Sequence, residues 1–532
     1  MKRIVPIAGV GLAAVVLASC GGGSGGTTGP GGTSSPKFAK GGTFTMSMAA
    51  DPGNIDPQLS PASNVIQLSA FAYDTLVGTD PDGKIVSQLA KDWNVAGTTV
   101  TMTLGDKITC SDGTPFTATD AAANINFMGN PANKSAFLGV YVPAGVKASA
   151  SGSTLTLKLA GPAPFVLEGL SAAPMVCKSG LDNRKILAKE TRGTGPFQLK
   201  EIVPSDHFTY TKRAGYTWGP GGATTAEAGM PDTVIVKIVP NNTTAANLLL
   251  SGGLNAATVT GQDATRLQGA KMFSAKVDAI GAEMWFNHIA GRPGSDPAVR
   301  KALAQAVDLQ QLQQVITAKQ GTAPTTFAVV PPVACPGDSI SAALPTGGVD
   351  AAKATLEAAG WKAGTDGTRA KGGKELALVF NYNTAYGAEG AAASELVVGV
   401  WKQLGAKVTA KGQDSTALLQ TLFTSGNWDI AWLTLNVSSP DQLVAFFSGP
   451  AAPNGNNFSH IDNGAYTAAV AKASKLPGKE GCADWLAAET NLVKDVDVIP
   501  FVNLPVKTFG KQAQFVSATQ SVMPMSIRML AN

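Results

Sequence analysis

The cysteines are the residues of this chain whose chemistry depends most clearly on their position. Cys20 stands alone near the N-terminus, and the others are widely spaced at Cys110, Cys177, Cys335 and Cys482. Four thiols in an oxidising compartment form two disulfides, for which three pairings are possible. A structural zinc site built from these thiols is not expected, because no CxxC pair occurs.

The N-terminus has the pattern of a cleaved export signal. Two basic residues open the chain, and the stretch 4–17 is apolar or small before the sequence LASC, which ends at Cys20. This run of about 14 residues is shorter than the ~20 that cross a bilayer as a helix. The LASC sequence resembles the bacterial lipobox, in which the cysteine is acylated and the peptide before it is removed. We therefore predict a signal peptide at 1–19, and a lipidated Cys20 with a flexible Gly/Ser/Thr linker over 20–39 that anchors the body outside the cell membrane.

An exported chain favours disulfides over free thiols in its body. Cys110 and Cys177 lie in the N-terminal half, whereas Cys335 and Cys482 lie in the C-terminal half. We therefore expect the pairs Cys110–Cys177 and Cys335–Cys482, each within one half of the chain. Free buried thiols are the alternative.

The common catalytic and metal-binding patterns are missing from the sequence. It has no HExxH, no Walker A loop and no GxSxG at a predicted strand-to-helix turn, and the early SxxK, Ser34 to Lys37, lies in the linker. The histidines, His207, His288 and His460, are not paired at ligand spacing. We expect no enzyme activity, no resident metal and no cofactor.

Composition indicates a large globular protein. The chain has 532 residues, of which 44% are hydrophobic and 15% charged, and a formal net charge of +4. These proportions suit a folded chain, and the length suggests two or more domains. The near-neutral charge gives no electrostatic reason to expect a nucleic-acid partner.

The hydrophobic periodicity predicts the elements that position these residues. Strict alternation predicts half-buried strands at 98–104 and 154–159, and an apolar run predicts a buried strand at 233–239. Helical spacing predicts one amphipathic helix over 297–317, with Asp296 as its cap. Because strands alternate with helices later in the chain, we expect α/β layers with parallel strand pairing.

Several motifs follow one another in an order that is specific when taken together. They are AKDW at 90–93, SDGTPFTATD at 111–120, GTGPFQL at 193–199, PAVRKALA at 297–304 and GNNFS at 455–459. This order resembles the family 5 extracellular solute-binding proteins, which are the oligopeptide-, dipeptide- and nickel-binding subunits of ABC importers. The resemblance runs from Gly42 to about Pro505, with Cys110 at a position where the family often has Phe.

The resemblance implies an α/β, two-lobed periplasmic-binding-protein-like fold of type II, in which two hinge-crossing strands let the lobes close on a ligand. The expected segments are 40–283 with 497–532 for the first lobe, 69–190 for an extra subdomain within it, and 284–496 for the second lobe. The crossings are expected near 284–287 and 498–501.

The resemblance also implies a function. The chain would be the membrane-anchored, monomeric subunit that captures a peptide or peptide-like solute between its lobes and delivers it to an ABC permease. Peptide binders of this family hold the ligand largely by backbone hydrogen bonds, and an aspartate pairs with its ammonium group. In the matching stretch 428–441, Ser438 falls at the position of that aspartate. Because serine carries no charge, either Asp441 serves instead, or the ligand lacks a free N-terminus, or it is not a peptide.

The expected ligand-binding residues lie on that stretch and in two loops. They are Trp432, Thr434, Asn436, Ser438 and Asp441, together with Pro52 and Gly53 in an early loop and Ser415 after a strand that begins at 408. For Trp432, ordinary core packing is the alternative. A sugar, a siderophore-like compound or a metal chelate is the alternative ligand, and a receptor lipoprotein without a transport role is the alternative function.

Overall fold

The structure is a computed structural model of the chain, and it describes residues 37–60, 62–80, 83–331, 333–518 and 521–531. The predicted signal peptide, Cys20 and the linker as far as residue 36 lie outside the described residues. Within those described ranges, no helix is both long enough and apolar enough to cross a membrane. The folded body begins at Phe38.

The first lobe is built on the larger sheet. From edge to edge its strands are Phe273–Val277, Val506–Gly510, Ala256–Thr258, Thr43–Met48, Thr233–Ile238, His207–Lys212 and Phe197–Val203. Thr43–Met48 runs parallel to both of its neighbours, and its alternate residues Phe44, Met46 and Met48 are buried in the core. The lobe also contains the helices Ser63–Ala72, Asn242–Ser251 and Gly261–Gly269, and the short strand pairs Ala513–Gln514 with Arg528–Met529 and Ser517–Ala518 with Ser521–Val522.

A separate antiparallel sheet forms the centre of the expected extra subdomain. Its strands are, in order, Ala90–Ala96, Thr99–Leu104, Thr154–Lys158 and Lys147–Ser151, and the nearby elements are the strand pair Val77–Thr79 with Ile85–Ser87 and the helices Ala118–Met128, Val166–Leu170 and Lys178–Asp182. Both strands predicted from strict alternation are confirmed. A reciprocal pair of hydrogen bonds between Thr117 and Asp120 caps the helix Ala118–Met128. The Cys110–Cys177 disulfide is present.

The second lobe is built on a mixed sheet. Its strands are, in order, Lys407–Gln413, Ala377–Asn383, Ile430–Leu433, Ile280–Phe286 and Val498–Asn503, with a small hairpin sheet of Lys362–Ala363, Arg369–Lys371 and Lys374–Glu375 beside it. The first three strands are parallel, as the sequence predicted, and Ile280–Phe286 is antiparallel to both of its neighbours. The helices of this lobe are Pro297–Ala306, Leu309–Ile316, Gly348–Ala358, Gly387–Gln403, Ser415–Gln420, Val444–Phe447, Gly464–Ala473 and Cys482–Lys494. The Cys335–Cys482 disulfide is also present.

The helix predicted over 297–317 is interrupted. Pro297–Ala306 and Leu309–Ile316 are separate helices, and Asp308 caps the second by accepting the Gln311 N–H at 2.9 Å. The apolar periodicity continues across the break, so periodicity alone does not reveal it. The side chain of Asp308 accepts a backbone N–H in place of a helical carbonyl, so the first helix ends and a second helix begins at this residue.

The chain passes between the two sheets at residues 278–279 and again at 504–505. On the way out, Val277 is paired in the first sheet and Ile280 in the second. On the return, Asn503 is paired in the second sheet and Val506 in the first. The crossings expected at 284–287 and 498–501, and the lobe boundaries expected after 283 and 496, therefore fall inside or beside strands of the second sheet. The apolar runs IGAEMWF and VIPFVN are almost entirely buried and pair with each other, so the chain leaves this sheet only beyond them.

Candidate functional site

In the first lobe, the carboxyl ends of parallel strands lie on the side of the crossings. Met48 and Ile238 are paired at the ends of neighbouring strands, and Thr258 pairs with Thr508, close to where the chain returns from the second lobe. Thr258 and Thr508 also share a hydrogen bond of 2.9 Å between their hydroxyls. Loops that follow such strand ends are the usual ligand-binding positions of open α/β sheets.

The second lobe presents the same kind of edge to the crossings. Asn383 and Gln413 are paired at the ends of parallel strands, and Leu433 ends the third strand opposite Glu283 on the crossing strand. Because the carboxyl ends in both sheets lie next to the crossings, the cleft between the lobes is the candidate site.

Amides and hydroxyls are hydrogen-bonded to one another at the strand ends of the second lobe. The Asn381 Nδ2 donates to Gln413 Oε1 at 2.7 Å, and the Gln413 Nε2 donates to the Thr421 hydroxyl at 2.9 Å. The Asn383 Nδ2 donates to the hydroxyl of Ser415 at 2.9 Å. Ser415, which the sequence proposed as a ligand-binding residue, therefore lies at the strand ends of the second lobe.

Residues 434–438, which we call the cleft segment, leave the sheet after Leu433 and are held to the crossing strand. Asn436 uses both ends of its amide on Ile280: its Oδ1 accepts the backbone N–H at 2.7 Å, and its Nδ2 donates to the carbonyl at 3.3 Å. The Leu435 N–H donates to Glu283 Oε2 at 2.8 Å. The Asn436 amide therefore holds the cleft segment to the crossing strand. Contrary to the expectation, it is not free to bind a ligand. Thr434 is half-buried at the start of the segment.

Trp432 lies in the core of the second lobe rather than on the wall of the cleft. Its side chain is fully buried, with its ring edge-to-face on Phe380 at 4.9 Å and 5.4 Å from Phe501. Trp432 pairs with Met284 and Tyr382, so it shares their face of the sheet, on which Phe380 meets Trp401 of the helix Gly387–Gln403. The short strand is buried on both faces, and for this reason the sequence did not show which face carries Trp432.

The turn after the cleft segment contains the carboxylate that the sequence offered in place of the missing aspartate. Asp441 accepts a hydrogen bond from the Ser439 hydroxyl at 2.5 Å. Burial, together with the nearby Glu168 of the extra subdomain, raises the pKa of Asp441 to about 6 against the hydrogen bond from Ser439. The N–H of Ser438 donates to Gln442 Oε1 at 3.2 Å. Asp441 therefore faces the first lobe, but it also belongs to the hydrogen bonding of its own turn.

Pro52 and Gly53 lie in the loop that follows the first strand. Asp51 organises this loop, because its carboxylate accepts the Gly53 N–H and the Ser205 N–H, each at 2.8 Å. Gly53 is exposed with a φ of +69°, a backbone conformation that favours glycine. The loop lies at the carboxyl end of its strand, on the edge where the cleft is expected.

Glu283 is a buried polar residue at this edge that the sequence reasoning missed. The side chain is fully buried, and its Oε1 has no hydrogen-bond partner in the described part of the chain. Burial raises the pKa of Glu283 to about 8, although the Leu435 N–H and the Trp285 indole oppose the shift. The available signal was a single glutamate inside the otherwise apolar run IGAEMWF.

The two lobes contact each other in two places. Phe165 of the extra subdomain packs among residues of the second lobe, with its ring 6.4 Å from Trp485. Gln320 Nε2 donates to the Thr265 hydroxyl of the first lobe at 2.6 Å. These contacts indicate a closed arrangement of the lobes.

A second concavity lies at the end of the second lobe opposite the crossings. It has a volume of about 420 Å³ and is lined in part by His288, Arg300 and Asp497. The Arg300 guanidinium donates to the carbonyls of Gly294, Asp495 and Val496 and to the carboxylate of Asp497. Arg300 and Asp497 are therefore already engaged in bonds within the protein. Burial, with Arg300 nearby, lowers the pKa of His288 to about 3. Among the described residues, no three His, Cys, Asp or Glu side chains are grouped as a metal site would require.

Comparison with known proteins places these features in a family. The sequence profile of the bacterial extracellular solute-binding proteins, family 5 Middle, matches residues 84–456. The nickel-binding periplasmic protein of Escherichia coli K12 is 27% identical over 392 residues, which are 70% of this chain and 72% of that protein. The glutathione-binding protein GsiB of Shigella flexneri is 27% identical over 303 residues, so the match covers 55% of this chain and only 56% of GsiB.

Solved structures share the fold. The oligopeptide-binding protein AppA of Bacillus subtilis, in complex with a nonapeptide, has a TM-score of 0.78 at 18% identity, covering 94% of this chain and 100% of that one. A substrate-binding protein of Microbacterium hydrocarbonoxydans complexed with 4-hydroxybenzoate hydrazide has a TM-score of 0.76 at 22% identity, covering 92% and 99%.

The murein tripeptide binding protein MppA of E. coli shares the fold as well. One MppA structure has a TM-score of 0.76 at 20% identity, covering 93% of this chain and 100% of MppA. The unliganded open form of MppA has a TM-score of 0.62 at 19% identity, covering 93% and 99%. With its profile match, its two lobes and its cleft at the crossings, the chain belongs to the family 5 bacterial extracellular solute-binding proteins.

Proposed function

We propose that this protein is the solute-binding subunit of an ABC importer, which captures a peptide or peptide-like solute between its lobes and delivers it to a permease. The observation that carries the proposal is the group of hydrogen-bonded amides and hydroxyls at the strand ends of the second lobe, facing the crossings. The hydroxyls of Ser415 and Thr421 accept these bonds and keep their own O–H to donate, which suits a ligand held by hydrogen bonds to its backbone rather than by one dominant charge. Relatives named for nickel and glutathione binding support the class of function.

The proposal includes a membrane anchor on Cys20 and a linker that keeps the body close to the outer face of the membrane. Its support is the LASC sequence after a short apolar run. The proposal keeps the two lobes and the extra subdomain at 69–190, and it moves the lobe boundaries to the crossings at 278–279 and 504–505.

A thermal-shift panel tests the choice of solute. The probes are trialanine, N-acetyl-trialanine, maltose and a nickel–histidine chelate. A solute that binds only the native protein stabilises it by about 2.7 kcal/mol at a hundredfold excess over Kd. We expect both peptides to raise the Tm. A shift with maltose or with the chelate alone would replace the peptide by a non-peptide solute.

The two peptides separate the roles of Ser438 and Asp441. Equal shifts mean that no carboxylate is needed for a ligand N-terminus, as Ser438 implies. A shift with trialanine alone favours Asp441 as the partner of the ammonium group.

A substitution in the cleft segment tests the place of binding. Thr434→Trp fills the cleft and is expected to abolish the peptide shift. Ser149→Trp, at an exposed position of the subdomain sheet, is the matched control and is expected to retain it. If both variants retain the shift, the solute binds elsewhere.

A non-peptide solute is the second candidate, because the Asn436 amide is already used on Ile280 and Ser438 carries no charge. A receptor role without transport is separated from import by deletion of the protein in its native host. Loss of uptake of the bound solute supports import, and normal uptake supports the receptor role.

A further inference from the structure

One phenylalanine of the extra subdomain is buried by the opposite lobe. Phe165 precedes the helix Val166–Leu170 and is 2% exposed. It packs in one cluster with residues of the second lobe, namely Ala334, Cys335, Ala473 and Trp485, which we call the Phe165 seat. Burial against another lobe is lost when the lobes separate, so this contact stabilises the closed arrangement and not either lobe alone.

The Cys335–Cys482 disulfide builds the seat. It fastens the loop that carries Ala334 to the first residue of the helix Cys482–Lys494, and Trp485 lies in the first turn of that helix. Ala473 ends the helix Gly464–Ala473, which packs against Cys482–Lys494. The disulfide therefore holds the two sides of the seat at a fixed separation.

The same loop also holds the cleft segment. The Ala334 N–H donates to the Ser438 carbonyl at 2.9 Å, and the Val330 N–H donates to the Val437 carbonyl at 3.1 Å. Asn436 and Glu283 hold the cleft segment on its other side, to the crossing strand. The cleft segment is thus hydrogen-bonded on one side to the crossing strand and on the other side to the disulfide-linked loop that packs against Phe165.

We propose that Phe165 determines solute affinity without touching the solute, because its seating on the second lobe favours the closed form in which the cleft segment faces the ligand. The inference rests on the proposed function only in assuming that the solute binds between the lobes. When the seat is lost, the closed form is less populated, and the apparent Kd rises in proportion to the population lost.

Phe165→Ala tests the proposal by two measurements, the radius of gyration from small-angle X-ray scattering without solute and the Kd for trialanine by calorimetry. We expect a larger radius of gyration and a Kd weakened by at least about tenfold. Phe165→Leu, which keeps an apolar side chain, is expected to restore most of both values. The double variant Cys335→Ser, Cys482→Ser disturbs the seat from the other lobe and is expected to change both values in the same direction as Phe165→Ala.

Phe44→Ala is the control for general loss of stability. Phe44 is fully buried within the first lobe, where it packs against Phe515. Its removal is expected to lower the Tm while the radius of gyration and the Kd stay at the wild-type values. The proposal is overturned if folded Phe165→Ala matches the wild type in both measurements. If the wild type does not bind trialanine, the peptide proposal fails, and the radius of gyration alone decides the role of Phe165.

Discussion

At the level of single residues, Glu283 combines complete burial with a hydrogen-bonding atom that has no partner in the described part of the chain. No ion pair to Glu283 is found there either. Tyr386 is a titratable neighbour, because burial and the nearby Glu283 raise the pKa of its phenol. Asp429 and Asp497 lie at the far ends of the two strands beside Glu283 and pair with Arg292 and Arg300. A buried carboxyl without a cation favours its protonated form, and the pKa of about 8 expresses this preference. An unfolded glutamate loses its proton near pH 4.3.

The consequence is a stability that falls as the pH rises. The folded state holds a proton on Glu283 that the unfolded state has released, so its contribution is complete below about pH 4.3 and is lost as the pH rises through about 8. Glu489, whose pKa burial raises to about 7, acts in the same direction. The measurement is urea unfolding of the solute-free protein between pH 5 and 8. The free energy of unfolding of Glu283→Gln is expected to fall less steeply with pH than that of the wild type, by as much as ~1.4 kcal/mol per pH unit. Glu480→Gln removes an exposed carboxylate and is the control; identical slopes in the wild type and Glu283→Gln would contradict the assignment.

The roles of single residues in the cleft were only partly predictable. The polar residues Asn436 and Ser438, which follow the apolar run AWLTL, directed attention to the cleft segment. The use of Asn436 on Ile280 was not predictable, because the two residues are 156 positions apart in the chain. Trp432 was offered as a cleft residue with core packing as the alternative, because alternation does not identify the buried face of a strand that is buried on both sides. Glu283 was overlooked because its meaning depends on tertiary burial, which the apolar run does not disclose.

At the level of elements, local hydrogen bonds decide boundaries that periodicity leaves open. The alternating strands at 99–104 and 154–158 were predicted closely, since one face is buried and the other is not. The region 297–317 was predicted as one helix, because apolar spacing continues past Asp308. The crossing strands were misplaced by a few residues, because runs that are buried on both faces carry no signal for where a sheet ends.

The break at Asp308 makes this residue a helix cap rather than a mid-helix residue. Asp308→Ala is expected to lower the free energy of unfolding by about 0.5–2 kcal/mol, because the Gln311 N–H loses its acceptor. Chemical denaturation measures the change. Asp350→Ala removes an acidic residue from the first turn of Gly348–Ala358, where no side chain caps the helix, and a smaller loss is expected. Equal losses in the two variants would mean that Asp308 acts by charge alone.

At the level of the whole molecule, the two-lobed α/β architecture followed from the order of motifs, and the structure and the comparisons confirm it. The contact between Phe165 and the second lobe was beyond prediction, because it joins residues from separate parts of the chain through tertiary packing alone. The proposed anchoring of the body rests on Cys20, which lies outside the described residues.

Cys20→Ser tests that anchoring. Without the thiol no acyl chain can be attached, so the protein is expected to move from the membrane fraction to the soluble fraction of the cell envelope or to the medium. Immunoblots of fractionated cells measure the distribution, with Ser24→Ala in the linker as the control. Retention of Cys20→Ser in the membrane fraction would show that another feature holds the protein there.

The connectivity of the disulfides has a consequence for biogenesis. Cysteines of the body pair consecutively, Cys110 with Cys177 and Cys335 with Cys482. In a chain that leaves the cell N-terminus first, the earlier pair can oxidise before the later cysteines emerge from the translocation channel. Simple vectorial oxidation therefore yields the native bonds, whereas interleaved pairing would require a disulfide isomerase to correct the first bond formed.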